Sequence, residues 1–114
     1  MRVLVVDDDG AVLRLTRRLL ACEGHTADCV ASASEAFRQL AAERYDVILC
    51  DLHLAGLAAD DFLSRLSPLD AARVVFVTGG ACNQHEAEFL ARQRVVYKPY
   101  TSAQLLDVIT AEGA

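Results

Sequence analysis

The chain has 114 residues, of which 54% are hydrophobic, and it carries a formal net charge of −5. This length suits one domain spanning residues 1–114, and the apolar content excludes a long disordered tail. The acidic balance argues against nucleic acid as a partner, and no apolar run approaches the roughly 20 residues that cross a bilayer. No cleavable signal pattern follows Met1, so we expect a cytoplasmic protein without membrane contact.

The first part of the chain predicts two strands around a helix. Residues 3–6 form a continuous apolar run typical of a buried parallel strand, and Asp7, Asp8 and Asp9 close it. A helical pattern begins at Gly10, and Gly24 is its expected stop. The residues expected on its inward face are Val12, Leu15, Leu19 and Cys22. Residues 25–31 are more polar, as in an edge strand.

The next segment predicts a second helix and the central strand. Ser32 and Glu35 have the spacing of a capping box. The residues expected on the inward face of this helix are Ala36, Phe37, Leu40 and Ala41. Residues 47–50 form an unbroken apolar run that ends at Asp51, which indicates a strand covered on both faces.

The remaining segments repeat this alternation. A short helix around Phe62 is expected to end before Pro68, and residues 73–77 predict a fourth strand. Residues 83–92 predict a fourth helix and residues 95–97 a fifth strand, after which Thr101 and Gln104 can cap the last helix. Five strands alternating with five helices predict an α/β fold, a doubly wound parallel sheet with helices on both faces.

Polar side chains follow four of the predicted strands at the same end. They are Asp7, Asp8, Asp51, Thr78 and Lys98. Because the carboxyl ends of parallel strands meet at one edge of a sheet, we expect these side chains to converge. Clustered carboxylates repel one another unless cations neutralise them, and Mg²⁺ prefers hard oxygen ligands. The sequence therefore predicts a magnesium site at this edge.

Four motifs at these strand ends carry a family resemblance: VVDDD at 5–9, ILCD at 48–51, VTGG at 77–80 and KPYT at 98–101. Together they resemble the receiver domain of two-component response regulators over essentially the whole chain. The resemblance implies a flavodoxin-like sheet with strand order 2-1-3-4-5. It also implies that Asp51 accepts a phosphoryl group from a histidine kinase or a histidine phosphotransfer domain.

The resemblance implies a metal site as well. By analogy Asp8 binds Mg²⁺ directly, Asp7 binds it largely through water, and Asp51 and the main-chain carbonyl of His53 complete the contacts. Mn²⁺ is expected to substitute for Mg²⁺.

The other matched positions have implied roles around the phosphoryl group. Thr78 would donate a hydrogen bond to a phosphoryl oxygen, Lys98 would offset its charge, and Gly79 would leave space for it. Pro99 resembles the family's cis-proline, which would turn Lys98 into the pocket.

Several positions depart from the commonest family pattern. Ala55 and Ala59 stand where proline and glycine are common, and Val95 stands where many members carry an aromatic ring. Switching through Thr78 and the face of the fourth helix, fifth strand and fifth helix, where a downstream protein would bind, is therefore expected to be altered. Tyr97 could partly replace the ring or could belong to the core.

Two positions could tune hydrolysis of the phosphorylated form. By analogy the side chain of His53 fringes the pocket, although a solvent-facing loop histidine is the simpler interpretation. Gly80, at the second tuning position, contributes no side chain.

The resemblance implies a phosphoacceptor that catalyses its own phosphorylation and dephosphorylation. Three other functions are compared with it. A pseudo-receiver would interact without phosphorylation. A haloacid-dehalogenase-like phosphatase would want a second aspartate where this chain has His53, and a carrier of flavin mononucleotide would not present three aspartates to a phosphate. We expect the segment either to stand alone or, preferentially, to come from a hybrid sensor histidine kinase.

Overall fold

The computed structural model describes residues 1–79 and 83–110, which contain five strands and six helices. In chain order they are β1 (Arg2–Val6), α1 (Gly10–Cys22), β2 (Thr26–Val30), α2 (Ala33–Ala42), β3 (Val47–Asp51), α3 (Ala59–Ser64), α4 (Pro68–Ala71), β4 (Val74–Thr78), α5 (Gln84–Leu90), β5 (Arg94–Tyr97) and α6 (Ser102–Thr110). In this part of the chain, no helix is long and apolar enough to span a bilayer.

The strands form one parallel sheet in the order β2-β1-β3-β4-β5. Val6 pairs with Cys50, and Cys50 pairs with Phe76, so the carboxyl ends of the central strands lie level with one another. The predicted α/β class and strand order are confirmed, and β2 is an edge strand as expected.

Alternate strand residues divide the core between the two faces of the sheet. Leu4, Ile48 and Phe76 point into a cluster that includes residues of α2, α3 and α5. Val5 and Leu49 point into a second cluster that includes residues of α1 and α6. Helices therefore cover both faces, as predicted, and the apolar strands are buried from both sides.

The predicted inward face of α1 is right in part, since Leu19 packs against the core, but two of its four residues are wrong. Leu15 is 53% exposed and Cys22 is exposed, whereas Thr16 and Leu20 are buried. Apolar residues occur on several sides of this helix, so periodicity alone did not settle which side packs. Thr16 is accommodated because its hydroxyl makes a hydrogen bond with the Tyr100 hydroxyl.

The second helix follows its prediction in part. Ser32 caps it by accepting a hydrogen bond from the Glu35 N–H. The Glu35 carboxylate, however, accepts from the Ala31 N–H instead of completing the box with Ser32. Ala36 is buried as expected, but Ala41 is exposed.

The last helix starts as predicted, whereas α4 was not predicted. Thr101 and Gln104 make both hydrogen bonds of the expected capping box. The short helix α4 was missed, because Pro68 was interpreted as a stop. Proline is also well tolerated in the first turn of a helix, where its missing N–H has no partner to lose, and Ser67 caps α4 there.

Candidate functional site

The acidic groups predicted at the strand ends come together at one edge of the sheet. Asp51 is the last residue of β3, and Asp7 and Asp8 directly follow β1. One carboxylate oxygen of each of these three residues lies within 4.8 Å of the others. Asp7 and Asp51 are buried, and Asp8 is exposed. The predicted acidic cluster is therefore present.

Lys98 reaches into this cluster from the end of β5. Its Nζ atom lies 3.0 Å from Asp7 Oδ2 and 3.7 Å from Asp51 Oδ1. Burial lowers the pKa of Lys98, but the hydrogen bond with Asp7 and the charge of Asp51 outweigh it, so that the pKa is raised. The lysine is accordingly held in its charged form.

The cluster contains three carboxylates and one ammonium group, and this imbalance of charge acts on the pKa of Asp51. Burial raises the pKa of Asp51, and the neighbouring Asp7 raises it further, while Lys98 acts in the opposite direction without cancelling them. The site thus has an excess of negative charge and closely spaced hard oxygen donors. This donor set fits a divalent cation such as Mg²⁺.

Main-chain groups hold the carboxylates in place. Asp7 Oδ1 accepts a hydrogen bond of 2.9 Å from the Asp9 N–H, and Asp51 Oδ1 accepts one of 3.4 Å from the His53 N–H. Asp9 itself caps α1 by accepting from the Ala11 N–H. The third aspartate of the motif therefore serves the helix start, where negative charge is favourable.

The remaining matched positions lie around this edge. Thr78 is fully buried at the end of β4, and its main-chain carbonyl accepts a hydrogen bond of 2.7 Å from the Lys98 N–H. A Cβ atom placed on Gly79 would meet no atom within 4 Å, so the chain leaves open space beside it. The peptide bond between Lys98 and Pro99 is cis, as expected. Gly80 lies outside the described residues.

His53 contacts a residue that sequence reasoning missed. Its Nε2 atom lies 2.7 Å from Glu86 Oε2 on α5, and the two side chains are 51% and 25% exposed. The hydrogen bond from the Asn83 N–H and the contact with His53 lower the pKa of Glu86. Because 33 residues separate the partners, local sequence gave no signal for this contact.

The aromatic residues near Lys98 occupy different environments. Tyr97 is 56% exposed, so its interpretation as a core residue is wrong. Tyr100 bonds with Thr16, and burial raises the pKa of its phenol. Val95 packs in part against the cluster that contains Phe76.

Comparisons with known proteins agree with this fold. Residues 3–110 match the family described as response regulator receiver domain. The chain is 34% identical to the sensory/regulatory protein RpfC of Xanthomonas campestris pv. campestris over 96% of its own length, but that match spans only 16% of the relative.

Two solved structures illustrate the structural likeness. A CheY-like response regulator receiver domain protein from Methanospirillum hungatei JF-1 has a TM-score of 0.83 at 27% identity, covering 95% of this chain and 89% of that one. A response regulator receiver protein from Burkholderia phymatum has a TM-score of 0.77 at 29% identity, covering 95% and 94% respectively.

Proposed function

The chain belongs to the response regulator receiver domain family, which serves two-component signal transduction, and we propose from that premise that Asp51 is its phosphoacceptor. The observation that carries the proposal is the cluster that Asp51 forms with Asp7 and Asp8, with the Lys98 ammonium group 3.7 Å from Asp51. A nucleophilic carboxylate with an ammonium group and two further carboxylates that could hold a metal close by suits phosphoryl transfer.

In the proposed reaction, an Asp51 oxygen forms a bond to phosphorus while the bond from phosphorus to the donor histidine nitrogen breaks. Lys98 offsets the charge that develops on the phosphoryl oxygens. Asp7, Asp8, Asp51 and the main-chain carbonyl of His53 would hold Mg²⁺, or Mn²⁺ in its place. When bound, the metal supplies further charge neutralisation.

Supporting residues would orient and release the phosphoryl group. We assign Thr78 the hydrogen bond to a phosphoryl oxygen, Gly79 the open space beside it, and Pro99 the direction of Lys98. Hydrolysis of the aspartyl phosphate returns Asp51 to its free state, and the His53 side chain tunes the rate of this hydrolysis. The domain thus catalyses its own phosphorylation and dephosphorylation rather than turning over an independent substrate.

The proposed partners follow from the family. The donor is a histidine kinase or a histidine phosphotransfer domain, and a downstream protein would bind the face of α5, β5 and α6. The match to a short part of the RpfC relative supports an origin in a longer sensory protein. We also propose a cytoplasmic location without membrane contact by this domain, and the net charge of −5 supports the absence of nucleic-acid contact.

Intact-mass measurement after treatment with acetyl phosphate and Mg²⁺ tests the phosphoacceptor. We expect one added phosphoryl group on the native chain, none on Asp51→Asn, and none when a chelator removes the metal. Labelling of the Asp51→Asn variant to the same extent would contradict the assignment of Asp51. A native chain that stays unlabelled would favour the pseudo-receiver, which interacts without phosphorylation.

A further inference from the structure

The contact between His53 and Glu86 joins the acceptor site to a helix that holds none of the matched site residues. Glu86 lies in the first turn of α5, and His53 lies two residues after Asp51 in the loop between β3 and α3. A cavity of about 580 Å³ lies between this loop and α5, lined by Leu54, Leu57 and Phe89 among others. The contact therefore spans an opening rather than a packed interface.

The hydrogen bonds of the two residues indicate that Glu86 fixes the orientation of the His53 ring. An ionised carboxylate only accepts hydrogen bonds, so the His53 ring must donate through Nε2. The ring is half exposed and has little packing to fix it, whereas Glu86 is anchored. Glu86 Oε1 accepts a 3.0 Å hydrogen bond from the Asn83 N–H, and the Asn83 side chain accepts one of 2.8 Å from the Glu86 N–H. The carboxylate is thus fixed to the helix start by a complete capping box.

Fixing the ring also fixes the main chain of His53. The His53 N–H contacts Asp51 Oδ1, and in the proposed function the carbonyl of the same residue is a metal contact. Resting on that proposed function, we propose that Glu86 is a positioning residue of the phosphoacceptor site, which holds the main chain of His53 against Asp51 and the metal through its contact with the imidazole.

A set of Glu86 variants tests this role by Mg²⁺ binding and by labelling. Glu86→Ala removes the carboxylate, and Glu86→Asp keeps a capping carboxylate but draws it back from His53 by one methylene. Supports of metal ligands typically contribute tenfold or more to affinity. We expect both variants to raise the Mg²⁺ dissociation constant, measured by calorimetry, roughly tenfold and to slow labelling by acetyl phosphate similarly. Glu86→Gln has a single acceptor oxygen, so it can keep either the ring contact or the capping hydrogen bond but not both, and its Mg²⁺ affinity should fall between those of the native chain and Glu86→Ala.

Two controls separate positioning from helix stability. Glu35→Ala removes a carboxylate from the first turn of α2, where it also accepts a main-chain hydrogen bond, and should change thermal stability without changing Mg²⁺ affinity. In a His53→Ala background, Glu86→Ala should have no further effect on either measurement, because the ring that transmits the contact is absent.

The outcomes distinguish this inference from the proposed function. Native affinity and labelling rate in both Glu86→Ala and Glu86→Asp, or equal losses with and without the His53 ring, would overturn the role of Glu86 alone. A native chain that binds no Mg²⁺ and accepts no phosphoryl group would overturn the proposed function itself. Should Glu86→Ala fail to fold, Glu86→Asp carries the comparison.

Discussion

Asp51 combines burial with a neighbouring carboxylate, and both features disfavour its ionised form. Burial and Asp7 raise its pKa in the folded protein, so the unfolded chain loses this proton more readily. At neutral pH the charge of Asp51 therefore lowers the free energy of unfolding. This penalty falls as the pH decreases towards the raised folded-state pKa, because the folded state takes up the proton first.

We accordingly expect Asp51→Asn to be more stable than the native chain at neutral pH without metal, because the amide places no charge in this buried, acidic site. Asp7 still pairs with Lys98 in this variant, so no charge is left without its partner. Chemical denaturation at pH 7 and near pH 4 measures the effect, and the gain should shrink at the lower pH. Asp107→Asn on the exposed side of α6 is the matched control. A gain of the same size in that control would show that reduced net charge is responsible.

At the scale of elements, α1 shows where sequence reasoning reaches its limit. Its bounds were predictable, because Asp9 caps it and Gly24 follows it in the left-handed region that favours glycine. Its phase was not, because Leu15 and Leu20 are equally apolar in the sequence and lie on different sides of the helix. Only packing against β1 and β2 decides between them. The contact of Glu86 with His53 also depends on tertiary packing, which the sequence pattern does not show.

The corrected phase predicts that two leucines of α1 differ strongly. Leu20 is fully buried, so Leu20→Ala should lower the free energy of unfolding by about 2–5 kcal/mol. Leu15→Ala should change it by less than about 1 kcal/mol, since Leu15 is half exposed. Urea denaturation of the two variants compares them directly. Equal losses in the free energy of unfolding would mean that Leu15 contributes to the core as much as Leu20 does.

At the scale of the whole molecule, the strand order explains why so much of the site was predictable. Parallel strands place Asp7, Asp51, Thr78 and Lys98 at one edge of the sheet, independently of how the helices pack. A residue directly after a strand needs no long-range information beyond the fold class. Apart from Tyr97 at the end of the edge strand β5, the residues that were missed or misplaced lie on helices and loops, whose orientations depend on side-chain packing.

The excess negative charge at this edge predicts that Mg²⁺ stabilises the entire domain. At a concentration one hundred times its dissociation constant, a ligand that binds only the folded state adds about 2.7 kcal/mol to the free energy of unfolding. We expect a gain of this size in thermal or chemical denaturation. Asp8→Asn should reduce it strongly, because Asp8 is an exposed member of the cluster. Stabilisation of Asp8→Asn equal to that of the native chain would place the ion elsewhere.

The division of the core has a consequence for how a signal leaves the acceptor. Leu52 and Leu54, which continue the chain beyond Asp51, both belong to the layer that contains α2, α3 and α5. Any rearrangement of that loop disturbs this layer first. Neither of these two leucines belongs to the second core cluster, which contains described residues of α1 and α6. A displacement of Leu52 or Leu54 would therefore press on the residues between the sheet and helices α2, α3 and α5, and only through the strands on the residues beneath α1.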